Sequence, residues 1–428
     1  DSKLENKIEM KKKICTCFLM TVIGMSSLYA QNWRLIKPAY PTKDAFVAGY
    51  SVTDFGAKGD GITDDTESFQ KGLNSLTNVG PSKVNGGILF VPAGKYVIKG
   101  NLNIPKGVTI RGEWKKPEKG QPIEGTILMA YAGRGDENAT PLITMEPAAG
   151  VMDLAIWYPE QTPDNIVPYP ASIVMGKPKH FGNEYCNVKN ITLVNSYIGI
   201  AISRVNGGGC PVFYDIYGSP LSVGIEIDYI ADVGRIDRVD FSPAYWCGSG
   251  LPDSPAAGGS FDKWIYENGT GIMMRKNDWS YTTNITVEGY KVGFNAAPSI
   301  TNEGSKPNGQ NYQLKVIGCK TGIQCDAIAN SGIQFTRSII KNCENGVVVN
   351  KGTAGALHFH TCEIDATQNA FVTDAESSTR IMILQNQIQK GNVNINGAIL
   401  TFIDCDFYNR APQIVLGRNA RSIITGNR

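Results

Sequence analysis

Histidine is scarce in this sequence. It occurs three times in 428 residues, which leaves little material for a histidine-built metal centre or a multi-histidine acid–base site. The ten cysteines include no Cys-x-x-Cys pair and no Cys/His cluster at zinc spacing. Charge is sparse too: Asp, Glu, Lys and Arg make up 19% of the chain, and the net charge is +2. Residues 1–30, with five lysines against one aspartate and two glutamates, hold all of that excess, so the remainder sums to zero. No basic patch argues for nucleic acid as a partner. Glycine, by contrast, is plentiful at 47, a profile of long β-structure with many tight turns.

Residues 312–373 show how those turns are organised. Cys319-Lys320-Thr321-Gly322-Ile323, Cys343-Glu344-Asn345-Gly346-Val347 and Thr367-Gln368-Asn369-Ala370-Phe371 recur at a spacing of 24. A second column holds Ile333-Gln334-Phe335, Leu357-His358-Phe359 and Ile381-Met382-Ile383, and a third holds Ser338, Cys362 and Asn386. Each row contains short alternating strands and no helix-length apolar stripe, the mark of a β-solenoid. A row is too short to bury a core alone; stacked rows share one. The expected fold is all-β: a single-stranded parallel β-helix, one coil per row, with about 4.8 Å between coils. Alternation points Ile333, Phe335, Leu357, Phe359, Ile381 and Ile383 inward, and Gln334, Thr336, His358, His360, Met382 and Leu384 outward. Gly199 to Gly224 makes one coil. Gly224 to Gly271 is 47 residues, close to two coils, but residues 241–267 do not read as plain coil.

The N-terminal end reads as a leader. Residues 1–9 look like sequence upstream of a start at Met10; Lys11-Lys12-Lys13, an apolar run over 14–28 and Ala30 then give a positive region, a hydrophobic region and a small residue at the cut. The run is short for a membrane span. The expectation is a signal peptide over 1–30, an N-terminal extension over 31–49 and a β-helix over 50–428 whose C-terminal coil is truncated. The mature chain is expected to be secreted or periplasmic, of bacterial origin, with no membrane span. Eight cysteines remain; Cys319 with Cys343 and Cys362 with Cys405 share columns, which reads as interior thiol stacks rather than a disulfide framework, with a bridge between neighbouring coils as the alternative.

Two motifs follow the extension. Val52-Thr53-Asp54-Phe55-Gly56-Ala57-Lys58-Gly59-Asp60-Gly61 and Ile62-Thr63-Asp64-Asp65-Thr66 lead into a helix that runs to about Leu76 and covers the open first coil, capped by Thr63 or Asp64. Gly86-Gly87-Ile88-Leu89-Phe90-Val91-Pro92-Ala93-Gly94-Lys95-Tyr96 comes next. Together these resemble the opening of the pectate-lyase-like superfamily, in particular the branch described as glycoside hydrolase family 28-related. The resemblance implies a right-handed parallel β-helix with a short N-terminal capping helix, and a carbohydrate-active role. It also implies that Asp54, Asp60, Asp64 and Asp65 are structural. The polygalacturonase signatures Gly-His-Gly and Arg-Ile-Lys are absent.

Candidate site residues concentrate between 240 and 290. Glycosidic hydrolysis needs one protonated and one ionised carboxyl, and Asp262, Glu267, Asp278 and Glu288 are the catalytic candidates. Flat aromatic faces bind the apolar sides of sugars; Trp157, Tyr158, Tyr245, Trp246, Trp264, Trp279 and Tyr281, with Arg275, are the substrate-binding candidates. The blander reading has these aromatics packing loops onto the solenoid and Asp278 pairing with Arg275. His358 and His360 face outward together and could serve as acid–base or metal-binding groups. The function expected is glycoside hydrolysis of a polysaccharide without a metal or other cofactor. The alternatives are a pectate-type lyase, for which calcium is possible, and a non-catalytic glycan-binding or structural β-helix.

Overall fold

The computed structural model describes residues 34–40, 44–78, 85–176, 183–202, 208–301, 304–408 and 414–428. The leader expected over 1–30 and His180 lie outside them. Strands from Tyr50 to Thr425 join one parallel sheet wound into three faces, and the solenoid is a right-handed parallel β-helix. The rows found in the sequence are its coils. On the first face Ile333, Leu357, Ile381 and Leu400 are successive partners. On the third face Thr321 pairs with Asn345, which pairs with Asn369. The second face carries strand segments such as Val239–Phe241 and Ile285–Val287.

Side chains expected to point inward do so: Ile333, Phe335, Leu357, Phe359, Ile381 and Ile383 are at most 1% exposed. Phe335 stacks on Phe359 with centroids 5.2 Å apart and planes 12° apart, and Phe359 meets Phe371 edge-on at 5.3 Å. The corner between the first and second faces turns on one left-handed residue per coil, among them Asp153, Asn190, Asp215, Asn284 and Gln313. Asp and Asn enter that region more readily than most side chains. The break lets Phe213 and Ile216, on either side of Asp215, both face inward. The inward position after that residue, held by Ile216, Val239, Ile285 and Leu314 in successive coils, passes from residue 333 onward to Ser338, Cys362, Asn386 and Cys405, all buried. The third sequence column is therefore a ladder of backbone partners. Asn386 Oδ1 accepts from the Cys362 amide, and its Nδ2 donates to the Phe359 carbonyl at 3.0 Å.

The glycine column of the third face has a steric cause. A Cβ on Gly224 would lie 2.4 Å from the Gly271 carbonyl oxygen and 2.3 Å from the Phe241 ring, and one on Gly322 would lie 2.6 Å from both the Gly346 oxygen and Ile340. The eight cysteines among the described residues are free thiols.

The capping helix is Thr66–Asn74, with Phe69 and Leu73 buried, and Leu76 just beyond it buried as well. Its N-cap is Asp65, one residue after the position expected. The Asp65 carboxylate is not spent on the helix; it accepts the Lys58 and Gly59 amides at 2.7 and 3.1 Å. Asp64 Oδ1 instead takes the Thr66 amide and hydroxyl, and Asp54 takes the Ser51 amide. Each of these carboxylates stitches the cap, in keeping with the structural role inferred for them.

The stretch from Gly224 to Gly271 is one coil, not nearly two. Val223–Ile227 pairs directly with Thr270–Met274, and Arg235–Phe241 pairs with residues 281–287. Residues 242–269 are an excursion holding a short 3-10 turn, Pro243–Tyr245, and a helix, Ser260–Asn268. Trp246 and Phe261, centroids 4.7 Å apart, give it a small core of its own. A second excursion, from an early coil, docks on it: the Gly120 amide donates to Ala244 O and the Ile123 amide to Ser249 O, both at 2.9 Å.

Candidate functional site

The excursion over 242–269, with its helix, and the end of the strand Asn277–Glu288 build a cavity at the corner between the second and third faces. Its volume is about 640 Å³, and Asp262, Glu267, Glu288, Lys263, Tyr266 and Cys247 are among its lining residues. Pro243, Ala244 and Ala257 supply apolar wall. That size suits a small ligand or one to two sugar rings.

Three of the four candidate carboxylates meet there. Asp262 lies in the first turn of the insertion helix, where it accepts the Gly258 amide and stands 3.7 Å from the Cys247 thiol. Glu267 leaves the same helix one turn later and pairs with Lys320 at 2.7 Å. Glu288 ends the strand Asn277–Glu288. It is held by Lys119 at 2.8 Å, and Lys119 also reaches Asp240 at 3.0 Å. Burial opposes the charge on Lys119, but the bonds to Glu288 and Asp240 outweigh it and raise its pKa, so Glu288 faces a full ammonium. Burial pushes the Cys247 thiol up to about 12, reinforced by Asp262, which favours the neutral thiol. Burial, then the hydrogen bond to Glu344, also raises the Tyr266 phenol.

Asp278 does not join them. It lies beyond the far end of the five-residue strand Thr270–Met274, a span of about 16 Å, where Lys276 holds it. Arg275 is at that same corner, bound to Glu226 at 2.7 Å and to the Pro298 carbonyl at 2.8 Å. Trp279 and Tyr281 are exposed there, 44% and 39%. Trp279 has a left-handed backbone, φ 56°, at a register shift between residues 277 and 280. A bulge of this kind re-aims a side chain.

Four of the aromatic candidates are core or packing residues. Trp157, Tyr158 and Trp246 are at most 3% exposed, and Tyr158 bonds Ser172 inside the solenoid. Tyr245 is 4% exposed in an outer cluster with Trp114 and Tyr217. Trp264 is half-buried against Tyr197. A sequence window rich in Trp and Tyr could not distinguish these from platforms, because the excursion needs large apolar side chains to pack at all.

Sequence reasoning missed Lys119 and Glu226. Glu226 had a signal: alternation in Ile225-Glu226-Ile227 turns it outward on the third face, where it is nevertheless buried, 1% exposed, beside Arg275. Lys119 had none, since it comes from a loop more than 160 residues before its partner. Among the described residues no group of three or more His, Cys, Asp or Glu side chains is placed to hold a metal ion.

The fold is a right-handed β-helix that carries an acidic cavity at one corner. Its opening is pectate-lyase-like: residues 49–131 match the family described as Rhamnogalacturonase A/epimerase, pectate lyase-like. Alginate lyase 7 of Azotobacter vinelandii is 39% identical over 87 residues, 20% of this chain and 8% of that protein. The tail spike protein of Shigella phage Sf6 is 39% identical over 69 residues, 15% of this chain and 10% of that protein. Each match thus spans a tenth or less of the relative's length. The A-module of the Azotobacter vinelandii mannuronan C-5 epimerase AlgE4 superposes with a TM-score of 0.56 at 14% identity, over 88% of this chain and 98% of that one. At that identity the likeness is one of fold.

Proposed function

We propose that this chain is a carbohydrate-active enzyme that hydrolyses a glycosidic bond of a polysaccharide in the corner cavity, with Asp262 and Glu288 as its carboxyl pair. The observation that carries the reading is the convergence of three carboxylates on one cavity with a partly apolar wall. Glu288, against the Lys119 ammonium, is the ionised member and acts as base or nucleophile. Asp262 has no cationic partner among the described residues. The helix N-terminus favours its charge only weakly, and a substrate that excludes water favours its neutral form, so it is the proton donor. Glu267, tied to Lys320 at the rim, orients sugar hydroxyls.

A polysaccharide substrate also suits an extracytoplasmic location, as does the leader read over 1–30. No helix among the described residues is long and apolar enough to cross a membrane. Relatives named as a lyase and a C-5 epimerase keep elimination as the second reading.

A panel of pectins, alginate, rhamnogalacturonan, β-glucans and xylan, read for reducing ends and for unsaturated product, tests the proposal. New reducing ends without ultraviolet absorbance are expected. Glu288→Gln and Asp262→Asn should each lower the rate by about 10²–10⁴-fold, while Asp278→Asn, at the opposite corner, leaves it intact. Absorbing product overturns hydrolysis in favour of elimination. Activity lost in Asp278→Asn but kept in Glu288→Gln moves the site away from the cavity.

A further inference from the structure

Two of the chain's three histidines stand side by side, far from the cavity. His358 and His360 occupy consecutive outward positions of the strand Ala356–His360 on the first face. That strand is three coils along the axis from Tyr281, through Gln310 and Gln334. The imidazoles meet edge to face with centroids 6.1 Å apart. At nitrogen–metal distances of about 2.0–2.1 Å, two imidazoles on one ion have centres roughly 5–6.4 Å apart, from tetrahedral to linear arrangements. The centroid spacing falls near the linear end of that range, and from the edge-to-face arrangement one ring turns about χ2, a soft torsion, to aim its nitrogen at a shared ion.

The next coil places Met382 directly beside His358 in register, on the same outward face and 36% exposed. On the other side lies Gln334, whose amide is turned toward Thr336 at 3.0 Å. Among the described residues no carboxylate completes the group, which disfavours the hard cations. Two imidazoles and a thioether suit a soft, low-coordinate ion.

We propose that His358, His360 and Met382 form a surface site for copper(I). The solenoid supplies the preorganisation: strand pairing fixes Met382 against His358, and the pleat fixes the two rings on one side of the sheet. Arg380 of the next strand donates its Nη2 to the Asn330 carbonyl.

The test is anaerobic titration of the full chain with copper(I) against bicinchoninate, with zinc(II) and nickel(II) titrated in parallel. A single equivalent of copper(I) is expected, lost in His358→Asn and in His360→Asn. Met382→Leu, outward and close in shape, should weaken copper(I) by an order of magnitude or more and leave zinc(II) and nickel(II) binding unchanged. The last variant also answers the case in which a histidine variant fails to fold. Copper(I) retained in the His358→Asn/His360→Asn double variant overturns the proposal. So does loss of that equivalent in Cys210→Ser, which removes the partly exposed thiol, or zinc(II) bound more tightly than copper(I).

Discussion

Between Ile333 and Ile395 successive strands are joined by short turns, whereas the coil that begins at Val223 leaves the solenoid at residue 242 and rejoins it at 270. Both stretches keep the same register on the third face; Val223 still finds Thr270 and Thr321 still finds Asn345. In a solenoid each coil is stabilised by its two neighbours alone, so an excursion at a corner costs the stack little. The regular coils supply rigidity. The irregular one supplies most of the cavity, from the insertion helix and the turn before it, while a coil strand contributes Glu288 and a distant loop contributes Lys119 as its partner.

The sharpest way to break that contrast is to compare one deletion in each stretch. Phe359 lies between Phe335 and Phe371 with no exposed surface. Phe359→Ala should cost about 3–5 kcal/mol, seen as a lower urea midpoint for the whole solenoid. Trp264→Ala, in the insertion helix and half-buried, should cost about 1 kcal/mol and leave the main transition where it is. Equal losses would mean that the excursion is part of the core rather than an addition to it.

A smaller effect on stability and a larger one on chemistry is expected at Lys119. Its ion pairs are partly exposed, with Glu288 41% accessible, and solvent screening limits their worth to under about 1 kcal/mol. Their effect on the placement of Glu288 is greater. Lys119→Met removes the ammonium that holds the Glu288 carboxylate in place, so the rate should fall by about 10²-fold with the thermal midpoint almost unchanged. A rate that stays at the parent value would take Glu288 out of the reaction.

The same contrast explains what could be read from the sequence. Cys319 and Cys343, or Phe335 and Phe359, recur because coils stack like on like, and a period survives in one dimension. The inward and outward sides of Ile333–Thr336 followed from alternation alone. The excursion has no period. Its length matched nearly two coils by coincidence, and its tryptophans look the same in sequence whether they pack, as Trp246 does, or are displayed, as Trp279 is. Asp262 and Glu288 were legible as carboxylates of one region. Their separation from Asp278 was not, because three residues close in sequence straddle a strand that holds them apart. Lys119 was beyond reach, since nothing local records which distant loop docks on which corner.

The least effect, and the finest distinction, concerns carboxylates that stitch rather than react. Asp60 accepts the amides of Thr63 and Ile62 and the Thr63 hydroxyl. Those bonds, the Thr63 amide foremost, hold its pKa below the ordinary carboxylate range. A carboxyl with a lowered folded-state pKa stabilises fully above its unfolded value of about 3.9, and that contribution fades as pH falls through the folded value. Exchange of the Ile62 and Thr63 amides should therefore speed up below about pH 4 in the parent beyond its intrinsic pH dependence. Asp60→Asn should make their protection lower and nearly flat over the same range. Turnover in the cavity should be the same in both proteins. If Asp60→Asn lowered turnover as Glu288→Gln does, the cap would belong to the site, and the division between coils that hold the fold and an excursion that holds the chemistry would fail at its N-terminal end.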